Sequence, residues 1–148
     1  MTKARTSKET LTRIVCCFLL LVLNLVLFAR RQAPIVWEIP EKSFLSDYCL
    51  EDDRVHFLCH LELYNRSLEH VKVGLTGNFE ADKKSGLVQE QYLTATGGSG
   101  SKSFILPPGR SVLDVEFVGT YGGSDGKQNR LLPEIHVTVI DPHAEPSS

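Results

Sequence analysis

Two hydrophobic patterns divide the chain. Residues 14–29 carry no charge, and their one strongly polar side chain is Asn24. From about residue 46 the apolar positions recur every second residue instead. In VHFLCHLELY, residues 55–64, the side chains of Val55, Phe57, Cys59, Leu61 and Leu63 share one face, while His56, His60 and Glu62 share the other. That alternation predicts a half-buried antiparallel strand. Asn65-Arg66-Ser67-Leu68-Glu69 predicts a turn, and a strand over 70–76 would bury Val71, Val73 and Leu75. The polar, glycine-ended segment 81–86 predicts another turn, followed by a strand over 87–95. A flexible Gly/Ser loop at 96–101 leads to a short strand over 102–106, which Pro107-Pro108-Gly109 stops. Residues 110–119 alternate again, with Leu113, Val115 and Phe117 inward and Asp114 and Glu116 outward. Residues 121–130 are polar and Gly-rich, and 134–140 turn Ile135, Val137 and Val139 to one side. No segment after residue 32 shows a helical period. About seven short strands separated by turn signals predict an all-β fold, an antiparallel β-sandwich, over residues 46–142. Residues 143–148 read as a disordered tail.

The charge-free run predicts a helix over 13–31. Sixteen residues make roughly 24 Å at about 1.5 Å each, short of a hydrocarbon core of about 30 Å. Leu11, Thr12 and the methylene stems of Arg13 and Arg30 can extend it. A cleaved signal peptide starts the same way, with basic residues before an apolar centre. Cleavage needs small residues after the run. Here Phe28-Ala29 is followed by Arg30-Arg31, and Pro34 follows Ala33, which favours an uncleaved signal-anchor that spans the membrane once. Cys16 and Cys17 lie at the start of the run, where no lipoprotein signal places its cysteine.

Basic residues give the orientation. Lys3, Arg5, Lys8 and Arg13 precede the run, and Arg30 and Arg31 follow it. The excess predicts a cytoplasmic basic tail over 1–12, with the C-terminal domain outside the plasma membrane. Residues 1–31 hold six basic side chains against one acidic, whereas from residue 32 onward there are 10 basic against 17 acidic. Such an acidic domain is a poor partner for nucleic acid, whose phosphates require basic surface. Between anchor and domain, residues 32–45 contain Pro34 and Pro40 and predict an extended tether. Its Ile35, Val36, Trp37 and Ile39 would lie either at the membrane interface or on the flank of the domain.

The stretch FLCHLELYNRSLEHVKVGLTGNF resembles the strand, N-x-S turn, strand opening of small immunoglobulin-like domains displayed on bacterial envelopes, such as the FxLYM type. FILPPGRSVLDVEFVG is similar to the Pro-Gly edge turn and core strand of many such sandwiches. The resemblance covers about residues 55–119. It implies an immunoglobulin-like sandwich used for display or interaction, and it carries over no catalytic residue. An antibody-type Cys-Trp-Cys order is absent, since Trp37 precedes both Cys49 and Cys59.

Candidate chemistry is sparse. Outside the cytoplasm Cys49 and Cys59 could form a disulfide. If 51–54 make a hairpin turn, however, residue 49 lies opposite about 56, and Cys59 sits in the apolar row where a free thiol behaves as a small hydrophobe. Both states stay open. His56 and His60 would face solvent, about 13 Å apart on a strand at roughly 3.3 Å per residue, too far to share one ion. Glu51-Asp52-Asp53 reads as a solvated turn. Asp125 and Asn129 lack the spacing of a calcium loop. Gly97-Gly98-Ser99-Gly100-Ser101 is not a nucleophile elbow, and Gly126-Lys127 is not a phosphate loop. Asn65-Arg66-Ser67 fits a glycosylation sequon. No catalytic, cofactor or metal site is expected.

The sequence therefore favours a membrane-anchored extracytoplasmic interaction module, non-enzymatic, binding a protein partner or envelope complex. The alternative is a small-ligand or metal-binding domain with the Gly-rich loops as its rim, in which Tyr121, Asp125, Asn129 and Arg130 would serve.

Overall fold

The computed structural model of the chain describes residues 3–32, 34–124 and 130–145, with side chains described for residues 11–26 of the first helix. It contains two compact units, Met1–Pro34 and Ile35–Ser148.

The first unit is one helix, α1 (Lys3–Gln32), which starts ten residues before the expected segment at 13–31. Phe18, Leu19, Leu20, Leu21, Val22 and Leu23 are consecutive, and at 3.6 residues per turn they point in every direction around the axis. The described large apolar side chains of α1 are all exposed, between 42% and 67%. Asn24 satisfies its own amide inside the helix, donating to the Leu20 carbonyl at 2.8 Å. Among the described residues, no helix is long and apolar enough to cross a membrane. The helix expected there is present; its spanning of a membrane is not established by the fold.

The second unit is predominantly antiparallel β-sheet, with eight strands among the described residues. These are β1 (Val36–Glu38), β2 (Phe44–Glu51), β3 (Arg54–Asn65), β4 (Val71–Asn78), β5 (Tyr92–Thr96), β6 (Phe104–Leu106), β7 (Gly109–Thr120) and β8 (Glu134–Asp141). In one sheet β3 is central, with β7 along one side and β1 and β2 sharing the other. In the second, β4 is central, with β8 on one side and β5 and β6 on the other. Strand β5 belongs to both: its start pairs with β4, and Ala95 and Thr96 pair with Phe117 and Glu116 of β7. That crossover closes one edge of the sandwich.

The alternation in the sequence builds the core. Val55, Phe57, Cys59, Leu61 and Leu63 of β3 meet Val71, Val73 and Leu75 of β4, with Val115 and Phe117 from β7. Phe79, just past β4, wedges between Phe57 and Phe117 with ring centroids at 4.5 and 5.4 Å. Gly77 makes room for it, since a Cβ there would stand 2.6 Å from the Phe79 ring. The β2–β3 hairpin turns on Asp52 and Asp53, both at positive φ (48° and 58°). Asp tolerates this left-handed geometry better than most side chains.

Several expectations are corrected. Residues 36–38, read as part of a tether, form β1: Val36 is buried, and Trp37 lies on the outer face against Tyr64. The turn at 81–86 is a single helical turn, α2 (Glu80–Lys84), closed by Gly86 at φ 80°. The strand expected over 87–95 starts at Tyr92, because Leu87 and Val88 are adjacent and both buried, which alternation forbids. The tail is held as far as Ala144, whose N–H donates to the His70 carbonyl at 2.9 Å, while His143 Nδ1 pairs with Glu69 Oε2.

Candidate functional site

The outer face of the first sheet follows from parity. With Phe57, Cys59, Leu61 and Leu63 inside, β3 must present His56, Leu58, His60, Glu62 and Tyr64 outward. Register sets these against β7, with Leu58 opposite Glu116, His60 opposite Asp114 and Tyr64 opposite Arg110. Three ion pairs result. His56 Nδ1 lies 2.6 Å from Glu116 Oε1, His60 Nδ1 lies 2.8 Å from Asp114 Oδ1, and Arg110 Nη1 lies 3.5 Å from Glu62 Oε1. The two histidines, expected as plain solvent-facing side chains, are half-buried and partnered. Alternation correctly sets their side of the strand; the carboxylates come from β7, which sequence distance hides.

Apolar groups interleave with these pairs. Phe44 stacks on His60, and Trp37 packs against Tyr64 at a tilt of 40°, each with ring centroids at 4.9 Å. Trp37, Phe44, Leu58 and Val112 are all exposed. Leu58 lies at a shallow hollow of about 360 Å³, bordered by Ser46, Asp114, Glu116 and the Gly97–Gly98 loop. Among the described residues, no three His, Cys, Asp or Glu side chains converge as a metal site.

The cysteines do not pair. Cys49 lies opposite His56, as the hairpin spacing predicts, and is exposed; Cys59 lies opposite Leu45 and is buried. They sit on opposite faces of the sheet, so the candidate disulfide gives way to two free thiols. Burial pushes the Cys59 thiol up to about 12, which leaves it inert at neutral pH.

Of the candidate rim, Asp125 and Asn129 lie outside the described residues. The Tyr121 N–H donates to the Asp53 carbonyl at 2.9 Å, its carbonyl accepts from Gln89 Nε2 at 3.1 Å, and its ring packs on the core. Arg130 forms an ion pair with Asp82 of α2 and lies 4.7 Å over the Tyr48 ring. Desolvation raises the Asp82 carboxyl above its ordinary range, and the Arg130 charge works against that rise. Tyr121 and Arg130 therefore each hold their own part of the chain, just after β7 and shortly before β8, against the body. The loop at 97–98 and Arg130 border separate cavities.

The sequon residue has a structural role that its motif conceals. Asn65 is only 2% exposed. Its amide nitrogen faces the carbonyls of Glu69, Leu106 and Pro107 at 2.9, 3.1 and 3.2 Å, and its Oδ1 accepts from the Ser67 N–H and hydroxyl at 2.9 and 2.8 Å.

Compared with family models, curated proteins and solved structures, the chain matches none of them.

Proposed function

We propose that the chain is a single-pass membrane protein whose β-sandwich, outside the cytoplasm, binds a protein partner through the outer face of its first sheet. The reading is non-enzymatic. The observation that carries it is the composition of that face. Trp37, Phe44, Leu58 and Val112 are exposed side by side with Tyr64, Arg110 and three ion pairs. Aromatic and arginine side chains among paired charges are what protein interfaces concentrate. The resemblance of residues 55–119 to immunoglobulin-like domains displayed on bacterial envelopes supports the same reading, since display suits a binding role.

The anchor is residues 13–31 of α1. Support comes from the charge-free run at 14–29, from apolar side chains exposed on every side of the helix, and from Asn24, whose amide needs no outside partner. A lipid environment stabilises such a surface, and water does not. Two experiments test the reading. With Cys16 and Cys17 replaced by Ser, a membrane-impermeant maleimide should label exposed Cys49 on intact cells; labelling only after lysis refutes the orientation. A photo-crosslinking side chain at Leu58 should yield discrete adducts in native membranes, while one at Thr138 on the opposite sheet should not. Equal adducts at both positions, or none at Leu58, sink the interface.

A further inference from the structure

Leu68, in the turn between β3 and β4, is 94% exposed, more than any other large apolar side chain among the described residues. A single exposed leucine is ordinary. Leu68 is not single, because three segments meet at this end of the sandwich. The Arg66 N–H donates to the Ile35 carbonyl at 2.9 Å, which ties the turn to the chain entering β1. Asn65 Nδ2 lies 3.1 Å from the Leu106 carbonyl and 3.2 Å from that of Pro107, which ties the turn to the link between β6 and β7. Ile35, Leu68, Pro107 and Pro108 are all exposed there.

The polar groups around Leu68 find partners within the protein. The Ser67 hydroxyl lies 2.8 Å from both Asn65 Oδ1 and the Glu69 carbonyl and accepts the Glu69 N–H at 3.3 Å. The Ser67 N–H donates to Asn65 Oδ1 at 2.9 Å, and the Glu69 carboxylate pairs with His143. Groups partnered in this way cost less to take out of water. Arg66 and Arg110 are exposed at the same end, and long basic stems keep their charge among headgroups while their methylenes lie deeper. Glu69 and Asp141 make the charge there mixed, so the attraction to a membrane is apolar and does not require anionic lipid.

The chain itself brings this end to the bilayer. On the reading of residues 13–31 as the anchor, on which this inference rests, Arg31 ends among the headgroups. Ile35 follows four residues later, at most about 14 Å away at roughly 3.6 Å per residue.

We propose that the end of the sandwich formed by Ile35, Leu68, Pro107 and Pro108 docks on the outer surface of the phospholipid bilayer, with Leu68 inserted below the headgroups. Interfacial apolar side chains enter by about 5–10 Å. β3 ends at this surface, so docking holds its other end, with His56 and Leu58, away from the lipid.

The test uses the full chain, labelled on leucine methyls and backbone amides, in phosphatidylcholine nanodiscs with and without a lipid that carries a nitroxide near the top of its acyl chain. The Leu68 methyl resonances should lose most of their intensity to the nitroxide. Leu131, 85% exposed, is the control. It precedes Glu134, which pairs with Asn78 at the far end of β4, roughly 23 Å from Val71 at about 3.3 Å per residue, and it should keep its intensity. In Leu68→Asp, a change at a side chain that packs on nothing, the Gly109 amide should regain the intensity it loses in the parent. If the chain does not enter the discs, the anchor and the docking fall together. If it enters and Leu68 keeps as much signal as Leu131, or if Leu68→Asp leaves the Gly109 amide as in the parent, the docking alone is overturned.

Discussion

His60 and Asp114 stand directly opposite each other on β3 and β7, with His60 Nδ1 2.8 Å from Asp114 Oδ1 and the Phe44 ring stacked on the imidazole. The His60 side chain is 32% exposed and that of Asp114 is 85% exposed, so solvent screens the pair. Exposed ion pairs contribute up to about 1 kcal/mol, and an aromatic stack about 0.5–1.5. His60→Ala should therefore cost about 1 kcal/mol, more than a bare surface substitution of about 0.5 or less. Phe117 is 0% exposed and touches Phe79, so Phe117→Ala should cost about 3–5 kcal/mol. Urea denaturation of both variants checks the ranking. A harmless Phe117→Ala would mean that β7 is misregistered by one residue, which would turn its whole apolar row outward.

The sandwich was legible in the sequence wherever a strand has one wet face. β3 and β7 alternate over 12 residues each, and their inward and outward sets follow from parity alone. The opposition of Cys49 and His56 follows from the hairpin in the same way. Short or irregular pieces were not legible. β1 has 3 residues, too few for a period, and its burial depends on β3. α2 buries none of its residues, so no apolar stripe marks it; it is set by Phe79, buried just before it, and Gly86 after it. The candidate face was half legible: the side chains were assignable to one side, whereas their partners arrive across 54 and 60 positions of sequence.

Asn65 should behave as a core residue despite its sequon. Asn65→Ala would remove the two N–H donors that the Glu69, Leu106 and Pro107 carbonyls share, and the acceptor of the Ser67 N–H, at about 2–3 kcal/mol. Asn65→Asp should be at least as damaging, since it turns an oxygen toward those carbonyls. In a glycosylating host the folded protein should carry no glycan at Asn65, as mass spectrometry of the peptide would show. A modified Asn65 would contradict its burial.

Gly77→Ala tests the aromatic wedge. The new methyl would stand 2.6 Å from Phe79 Cε2 and 3.3 Å from Phe117 Cε1. Overpacking of this kind costs about 1–3 kcal/mol. Pairing the change with Phe79→Leu should cost less than the sum of the two single losses. Strict additivity in that double-mutant cycle would argue against contact between the sites.

β1 should matter to the stability of the isolated sandwich. A fragment starting at residue 44 would lose the buried Val36 side chain, the Ile39 N–H bond to the Glu62 carbonyl at 2.8 Å and the Arg66 N–H bond to the Ile35 carbonyl at 2.9 Å. Burying a Val side chain is worth about 1.5–3 kcal/mol, and each hydrogen bond about 0.5–1.5 net. A fragment starting at residue 35 should melt at a clearly higher temperature than one starting at 44. Equal midpoints would reduce β1 to an incidental contact.

Two pairs give opposite pH dependences. Glu90 accepts the Thr120 hydroxyl at 2.6 Å and the Thr120 N–H at 2.8 Å, and these bonds hold its carboxyl below the ordinary 4.5. A lowered carboxyl stabilises the fold fully above 4.5, and the contribution fades as pH falls through its folded value. The Glu69 carboxylate raises His143 above its ordinary 6.5, so that contribution is complete below 6.5 and fades as pH rises through the folded value. Melting curves against pH separate the two. The stability difference between the parent and Glu90→Gln should be largest above 4.5 and close in acid, whereas that between the parent and His143→Ala should be largest below 6.5 and close in alkali. Asp82, raised by desolvation, tilts the acid range the other way in parent and variants alike, so it cancels from both differences. A pH-independent difference for Glu90→Gln would mean that the Thr120 bonds do not favour the ionised carboxylate, and one for His143→Ala would detach residues 143–145 from the body of the sandwich.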